Sequence, residues 1–344
     1  MDIQIINPIE YKGWDDLLIS CPGYTFFHSS TWAKVLHEAY HYIPTYITVF
    51  DKDRLQALIP VMEVKSFLTG KRGVSIPFTD YSDAIIHNGI SFKNLFHHLT
   101  QYGENHGWKS FELRGEHHLP MVSQIFSSYS RHILDLSKKT DETFLSFRSN
   151  TRRNIKKAIK NGVKVEICHT FDSVKEFYRL NCLTRKRHGL PPQPFYFFKK
   201  VYEHIISQKF GFVVLASYEK VFIAGAVYFH FGENAFFKYG ASDKNFHHLR
   251  PNNLVMWEAI KLCCQNGYKS FCFGRTEPEN QGLIQLKSGW GTTEQQINYY
   301  RYDFRKEGFV NSQSKVTGFY NKIFRKIPIP LLRTIGSIFY KHVG

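Results

Sequence analysis

Two five-residue stretches decide the fold of this chain: GWKSF at residues 107–111 and GYKSF at residues 267–271. Each stretch follows an apolar segment typical of a helix and opens a segment rich in β-forming residues. Similar fragments at the same place in the order of elements indicate a duplicated α/β unit, with a chance match as the alternative. The chain of 344 residues has about the length of two domains.

The elements around the two stretches follow one order: helices, three strands, a helix and a strand. In the first copy we predict helices within 10–39, strands at 45–50, 55–64 and 81–86, a helix at 92–106 and a strand at 108–113. In the second copy we predict helices within 171–206, strands at 211–217, 222–231 and 235–240, a helix at 252–265 and a strand from 268. This order favours an α/β (α+β) fold with mixed sheets of the acetyltransferase type.

The sequence predicts three parts: a first domain at 1–135, a second at 136–311, and a C-terminal tail at 312–344. The second domain begins with a predicted basic linker helix at 144–162. Its cations Arg152, Lys156 and Lys160 share one helical face. The inward-facing residues would be Phe144, Phe147, Ile155 and Ile159. The basic face is either solvated or a clamp for phosphate groups.

Charge is unevenly distributed along the chain. Residues 1–135 contain 11 Lys and Arg against 14 Asp and Glu, a net charge of −3. Since the whole chain has a net charge of +16, residues 136–344 carry a net charge of +19. Such an asymmetry indicates a polyanionic partner: nucleic acid, an anionic membrane surface or a phosphorylated substrate.

Several classes of protein lose support from the sequence. It has no apolar run of membrane-spanning length and no leader of the secretory type, which predicts a cytoplasmic protein. The six cysteines form no Cys-x-x-Cys pair, and motifs of P-loop, Rossmann, serine-hydrolase and zinc-protease sites are missing. The His pairs at 97–98, 117–118 and 247–248 are interpreted as surface or packing residues, so we predict no metal site.

Polar clusters lie where predicted strands of the second copy end or the next helix begins, which is where α/β proteins bind ligands. Arg275 and Glu277 follow a strand directly, and Arg275 is either an oriented guanidinium or part of a structural ion pair. Asn252 is either a ligand contact or a helix cap. The other clusters contain Tyr239, Arg250, Lys287 and Trp290.

Several motifs together resemble the FemAB/FemX-like proteins, and the similarity extends over nearly the whole chain. They are TRRNIKKA at 151–158 with Gly162-Val163, LRPN at 249–252, FGR at 273–275, LK at 286–287 and WG at 290–291. In the first copy, FHSSTW at 27–32 and SIPFTDY at 75–81 are also similar to that family.

The resemblance implies two GNAT-like domains that form an amide on a cell-envelope precursor of the peptidoglycan type. It implies no bound cofactor, an activated acyl donor as co-substrate, and a phosphorylated or lipid-linked precursor as acceptor, with Arg152 at the acceptor's phosphates. The long helical arm of some members and a clear coenzyme A loop are both missing. The donor therefore stays open between aminoacyl-tRNA, which would make tRNA a partner, and acyl-CoA.

The reaction requires positioning, a proton acceptor and stabilisation of an oxyanion. We assign backbone N–H groups of residues 237–240 to the oxyanion, Arg275 and Lys287 to negative charge, and Glu277 as base unless the substrate itself takes the proton. The candidate substrate-binding residues are Arg152, Tyr81, Asp80, Tyr239, Arg250, Asn252 and Trp290.

The tail carries six basic and no acidic residues from Ser312 onward, interleaved with apolar ones. Two short helices broken at Pro328 and Pro330 would bind an anionic membrane on the inner face, or pack their apolar side on the protein. Two alternatives to the aminoacyl transferase remain. One is an acyl-CoA-dependent N-acyltransferase of an envelope sugar or lipid, and the other is a non-catalytic RNA-binding protein.

Overall fold

The structure, a computed structural model, describes residues 2–87, 89–115, 124–311 and 319–344. The chain divides into two units. Unit 1 comprises Met1–Ser130, Gln296–Lys315 and Tyr340–Gly344, and unit 2 comprises Arg131–Gln295 and Val316–Phe339. Residues 296–315 and 340–344 are thus grouped with unit 1, whereas the sequence analysis placed them in later domains.

The first part of the chain forms a helix-and-strand unit with two sheets. Its elements are β1 (Ile3–Ile6), α1 (Trp14–Ile19), α2 (Ser30–Tyr40), β2 (Ile43–Pro44), β3 (Tyr46–Asp51), β4 (Arg54–Ile59), β5 (Met62–Ser66), β6 (Gly70–Val74), β7 (Ile85–Ile86), α3 (Phe92–Asn105), β8 (Ser110–Gly115) and β9 (Ser127–Asp135). One sheet has the order β1-β3-β4-β7. The other sheet includes the neighbours β8-β6-β5-β2.

Unit 2 begins within β9 and continues with the elements that carry most of the candidate site. They are α4 (Thr140–Ser146), α5 (Ser149–Lys160), β10 (Lys164–Cys168), α6 (Phe171–His188), α7 (Phe195–Val201), β11 (Gly211–Tyr218), β12 (Val221–Phe231), β13 (Asn234–Ser242), α8 (Pro251–Gln265), β14 (Ser270–Thr276) and α9 (Gln281–Ser288). The strand order is β10-β11-β12-β13-β14-β9. The chain ends with β15 (Thr293–Asp303), β16 (Gly308–Val310), α10 (Phe319–Phe324) and α11 (Ile329–Val343).

The repeated fragments occupy equivalent positions in the two units. Within unit 1, β6 and β8 are parallel, α3 connects them, and Gly73 pairs with Phe111. Within unit 2, β13 and β14 are parallel, α8 connects them, and Ala235 pairs with Phe271. The glycine that ends each helix has positive φ, +67° at Gly107 and +77° at Gly267, a conformation that glycine adopts without steric cost. The sequence repeat is therefore a structural repeat.

Each unit has its own core, as two duplicated domains require. In unit 1 the apolar faces of β3, β4 and α3 meet around Trp108 and Phe111. In unit 2 the core joins β11, β12, β14, α5 and α8 around Phe147, Tyr228 and Trp290. Most of these side chains are less than 5% exposed, so burial of apolar area stabilises both units.

The predicted linker helix at 144–162 is interrupted. It forms two helices, α4 and α5, because Phe147 and Arg148 have extended backbones. The Phe147 ring is buried 5.0 Å from the Trp290 ring, and the Arg148 N–H binds the Gly289 carbonyl at 2.9 Å. These tertiary contacts override the helical pattern. Ile159 was expected to face inward but is 56% exposed.

Other expectations were wrong in detail. The strand predicted at 81–86 is reduced to β7 and a bridge between Ser82 and Arg114. Pro330 lies within the first turn of α11, where proline is tolerated, so only Pro328 lies between the two tail helices. None of the helices in the described ranges combines the length and apolar character needed to cross a bilayer. The pair His117-His118 lies outside the described residues.

Candidate functional site

The parallel strands β13 and β14 separate partway along their length. Within their described residues the pairing covers only Asn234–Phe236 of β13 with Ser270–Cys272 of β14. On its other side β13 carries a bulge at Lys238, because Val227 pairs with Tyr239 and Tyr228 pairs with Phe237. A bulge redirects backbone groups, and the split leaves a space beside them. Backbone donors next to such a space suit a carbonyl oxygen of a ligand.

Lys287 is buried at the end of β14. Its side chain is 4% exposed, and Nζ donates to the carbonyl oxygens of Gly274 at 2.8 Å and Arg275 at 3.1 Å. Gly274 has a φ of +69°, which distorts the strand at this point. The ammonium group therefore fixes the distorted strand end on α9 and brings a positive charge into a buried site.

Two other candidate site residues, Glu277 and Trp290, differ in the exposure of their side chains to solvent. Glu277 is exposed, beyond the end of β14. Trp290 is 1% exposed and packs 5.0 Å from Phe147, so it lies in the core of unit 2 rather than on a ligand-accessible surface.

Arg152 lies where α5 approaches the end of α9. Thr151 Oγ1 donates to the Gly289 carbonyl at 2.9 Å. A Cβ added to Gly289 would lie 2.7 Å from Thr151 Oγ1. The glycine thus permits the close approach of the two helices. Arg152 is half-buried, and its Nε is a buried donor without a hydrogen-bond partner among the described residues. A buried donor of this kind suits an anionic acceptor.

A second polar group lies where β13 ends and α8 begins. Ser242 is 3% exposed, and its Oγ lies 2.9 Å from His247 Nε2 and accepts from Asn252 Nδ2 at 3.2 Å. Thr184 of α6 exchanges hydrogen bonds with the Ser242 backbone, donating from Oγ1 at 3.1 Å and accepting at 2.9 Å. Arg187 Nη1 lies 3.3 Å from His247 Nε2. The network ties α6 to the connection between β13 and α8.

His247 is neutral in this network. Burial and the neighbouring cations Arg187 and Arg250 lower its pKa, against the opposing effect of Asp243. A guanidinium can only donate, so Nε2 accepts from Arg187 and the ring proton lies on Nδ1. Ser242 can then also donate to Nε2. Arg250 itself is exposed and has a φ of +63° directly before α8.

The remaining unit 2 candidate, Tyr239, follows the bulge on β13. Its ring is half-buried, 5.5 Å from the ring of Phe198 and 6.2 Å from that of Phe197. Lys238 Nζ lies 5.5 Å from the centre of the Tyr239 ring. These contacts hold the tyrosine against α7.

In unit 1, a buried carboxylate orders the segment that contains Asp80 and Tyr81. Glu112 is bound by Arg114 and Arg301, each at 2.8 Å, and Arg114 also donates to the carbonyl oxygens of Ile76 and Thr79. Burial acts against ionisation of Glu112, but these two cations lower its pKa overall.

Asp80 and Tyr81 are held through their neighbours in unit 1. Tyr299 Oη donates to the Asp80 carbonyl at 2.6 Å. Tyr81 is 6% exposed, and its ring lies 6.4 Å from that of Phe27. The segment is thus fixed by backbone carbonyls and ring contacts.

Comparison with known proteins shows which sequences and folds this chain is similar to. The sequence profile of the acetyltransferase (GNAT) domain family matches residues 146–281, which include β13 and β14. Lipid II:glycine glycyltransferase of Staphylococcus haemolyticus is 20% identical over 230 residues, which cover 46% of this chain and 55% of that protein. A crystal structure of FemX superposes with a TM-score of 0.69 at 16% identity, covering 87% of this chain and 97% of that chain.

The chain is similar to the FemAB/FemX-like proteins. A tandem GNAT protein from the clavulanic acid biosynthesis pathway is similar in fold, with a TM-score of 0.57 at 8% identity over 88% of this chain and 98% of that one. The duplicated GNAT-like fold expected from the repeat is confirmed. The chain spans about half the length of the curated relatives that it matches, 55% of the S. haemolyticus protein.

In this chain the predicted site residues fall into groups. Lys287 Nζ binds the backbone carbonyl of Arg275, and Asn252 binds Ser242 Oγ. Arg250 acts on this network only through its charge, which lowers the pKa of His247. Sequence reasoning missed His247 and Arg187. The histidine pair was interpreted as surface or packing residues, and no local pattern links α6 to a loop 60 residues later. In the sequence, only the cluster of polar residues at the end of β13 indicated that Ser242 could belong to a site.

Proposed function

We propose that this chain transfers an aminoacyl or acyl group from an activated donor to an amine of a cell-envelope precursor of the peptidoglycan type. The observation that carries the proposal is the separation of β13 from β14 beside the bulge at Lys238, inside the segment that matches the GNAT profile. The relatives named lipid II:glycine glycyltransferase support this class of acceptor.

The reaction forms one amide bond. The acceptor amine attacks the carbonyl carbon of the donor, a carbon–nitrogen bond forms, and the bond to the ester oxygen or thioester sulfur breaks as the amine loses a proton. Backbone N–H groups of residues 237–240 would stabilise the oxyanion, and the charges of Lys287 and Arg275 would oppose the negative charge that develops. Glu277 or the substrate itself would accept the proton.

Two donors are compatible with the protein, and positive charge near α6 supports a polyanionic one. The last turn of α6 contains Arg185, Lys186 and Arg187. Burial together with the charges of Arg187, Arg185 and Arg325 lowers the pKa of His188 in the same region. The surface suits either the phosphates of tRNA or the phosphates of acyl-CoA.

The acceptor's phosphates would bind at Arg152. The support is its buried Nε and the cationic surface of α5 around it. Arg153, the next residue, is exposed and provides a matched control. We expect Arg152→Ala to raise the KM for a phosphorylated acceptor by about tenfold or more, while Arg153→Ala changes it little. Equal effects of the two variants would exclude Arg152 as the phosphate contact.

The tail would bring unit 2 to an anionic membrane, where a lipid-linked acceptor is found. Exposed apolar side chains of α10 and α11 support this, among them Ile323, Leu331 and Ile338, which are 45%, 58% and 48% exposed. Exposed cations lie on the same helices. The other face of α11 is packed, since Leu332 is fully buried.

Label transfer tests the proposed reaction. Purified protein is given membrane lipid extract and soluble nucleotide-sugar precursors, with labelled charged tRNA or labelled acyl-CoA as donor. Label that enters an acceptor through an amide from charged tRNA supports aminoacyl transfer, and label from acyl-CoA alone supports acylation of an envelope sugar or lipid. Salt-dependent RNA binding without any transfer would contradict the proposal and favour a binding protein.

A further inference from the structure

The turn between β5 and β6 of unit 1 exposes two adjacent large apolar side chains. Phe67 is 78% exposed and Leu68 is 52% exposed. Phe67 is the most exposed large apolar side chain among the described residues. Single exposed apolar residues are common on soluble proteins, but adjacent ones at the tip of a hairpin indicate an interaction surface.

The turn is held in one conformation. Ser66 Oγ accepts hydrogen bonds from the backbone N–H groups of Leu68 and Thr69, both at 3.1 Å. Gly70 closes the turn with a φ of +80°, and the Arg72 guanidinium binds Thr69 Oγ1. Exposure of the tip is therefore a property of a well-bonded turn, in which the backbone N–H groups of Leu68 and Thr69 are satisfied within the hairpin.

The C-terminal end of α11, which belongs to unit 1, supports the turn from one side. The His342 ring lies 4.3 Å from the Phe67 ring, edge to face, and His342 Nδ1 lies 3.1 Å from Ser66 Oγ. Val343, next to it, is 68% exposed. The exposed apolar surface thus extends from the hairpin to the end of the helix.

Cations surround this apolar tip without exposed acidic residues in the same segment. Lys65 and Lys71 flank the turn, and the Lys109 side chain lies along Gly70. Residues 64–73 contain no Asp or Glu. The preceding carboxylate, Glu63, is 3% exposed and is bound by Trp108 Nε1 at 2.7 Å and by Lys65 at 3.4 Å. The surface is therefore apolar at its tip and positive around it.

We propose that this hairpin docks unit 1 on an anionic membrane, with Phe67 and Leu68 in the boundary between headgroups and acyl chains. An apolar tip with a ring of lysines matches the two layers of such a surface: the acyl boundary takes the side chains, and lipid phosphates pair with the ammonium groups. The N–H groups of Leu68 and Thr69 are already paired with Ser66, which lowers the cost of placing the turn in the interface. This docking does not depend on the transfer reaction.

Flotation of the full-length protein with vesicles tests the proposal. The probes are vesicles containing phosphatidylglycerol and vesicles of phosphatidylcholine alone. We expect binding to the anionic vesicles, reduced about tenfold or more by the double variant Phe67→Ser/Leu68→Ser. Ile19→Ser, a substitution of a 45% exposed residue of the same unit, is the matched control and should bind like the unaltered protein.

Charge reversal tests the second half of the proposal. Lys65→Glu/Lys71→Glu should weaken binding to anionic vesicles about tenfold or more. Lys93→Glu, on the exposed face of α3, lowers the net charge by two, half the change in the double variant, and should weaken binding much less because it lies away from the turn. In addition, the fluorescence of the tryptophan introduced by Phe67→Trp should be quenched by vesicles that contain brominated lipid.

Two results would overturn the inference. One is equal flotation of the unaltered protein and the Phe67→Ser/Leu68→Ser variant, when circular dichroism shows both to be folded. The other is a concentration-dependent dimer in size-exclusion chromatography that this variant abolishes, with no lipid quenching of Phe67→Trp. The tip would then be a protein interface.

Discussion

The neutral buried histidine of unit 1 should make folding sensitive to mild acid. His28 is fully buried, Nδ1 accepts the Thr25 N–H at 3.0 Å, and Nε2 donates to the Asp83 carbonyl at 2.8 Å. Burial is the main cause that lowers its pKa from 6.5 to about 4. The unfolded chain therefore binds a proton at higher pH than the folded protein, and stability falls as pH decreases from 6.5 towards 4.

The size of this effect follows from the two pKa values. His28 should remove about 2 kcal/mol of stability between pH 7 and pH 5, and about 3 kcal/mol by pH 4. The assay is urea unfolding at each pH, followed by tryptophan fluorescence. His28→Gln keeps hydrogen-bonding groups but does not titrate, so it should lose this part of the pH dependence. Burial lowers the pKa of His230 as well, so the difference between the two proteins is the quantity to measure.

His98 provides the matched control because it is exposed on α3. His98→Gln should keep the full pH dependence of the unaltered protein. The reasoning is refuted if His28→Gln loses stability between pH 7 and pH 5 as steeply as the unaltered protein does.

Three further predictions concern the contacts around the candidate site. Lys287→Met should slow transfer about a hundredfold while the fold is retained, as measured by single-turnover label transfer; an unchanged rate would remove Lys287 from the mechanism. Gly289→Ala should cost about 1–3 kcal/mol in urea unfolding, because its Cβ would lie 2.7 Å from Thr151 Oγ1; unchanged stability would contradict the close approach of α5 and α9. Arg114→Leu should cost about 3 kcal/mol at neutral pH by removing a partner of Glu112. The pKa of Glu112 is lower in the folded protein, so its ion pairs stabilise the fold only while the carboxylate is ionised. The stability lost in Arg114→Leu should therefore shrink as pH falls below about 4. A stability loss of constant size would contradict the ion pair.

The repeat and the order of elements were predictable from the sequence because they depend on local patterns. Gly107 and Gly267 end their helices because each adopts a positive φ, and the strand after each one is rich in apolar residues. The motifs shared with the FemAB/FemX-like proteins then predicted the similarity to that family. By contrast, the break at Phe147 depends on contacts with Trp290, more than 140 residues away, which no helical periodicity contains.

Burial of polar side chains was the part that the sequence could not provide. The sequence marked Lys287 as a site candidate but did not predict its burial, since two carbonyl groups at a distorted strand end hold its ammonium group in a buried position. The pair of Ser242 and His247 likewise depends on α6, whose Arg187 and Thr184 reach the end of β13. Such contacts between distant segments have no signature in residue spacing.

The position of the activated donor tests the central claim most directly. A photoreactive analogue of the donor that supports transfer is crosslinked to the full-length protein, and the adducts are mapped by mass spectrometry. We predict adducts on residues 237–242 of β13 and on residues 274–277 at and just beyond the end of β14, suppressed by excess unlabelled donor. Adducts confined to other segments, in protein that transfers at its full rate, would contradict the claim that the donor binds where the two strands separate.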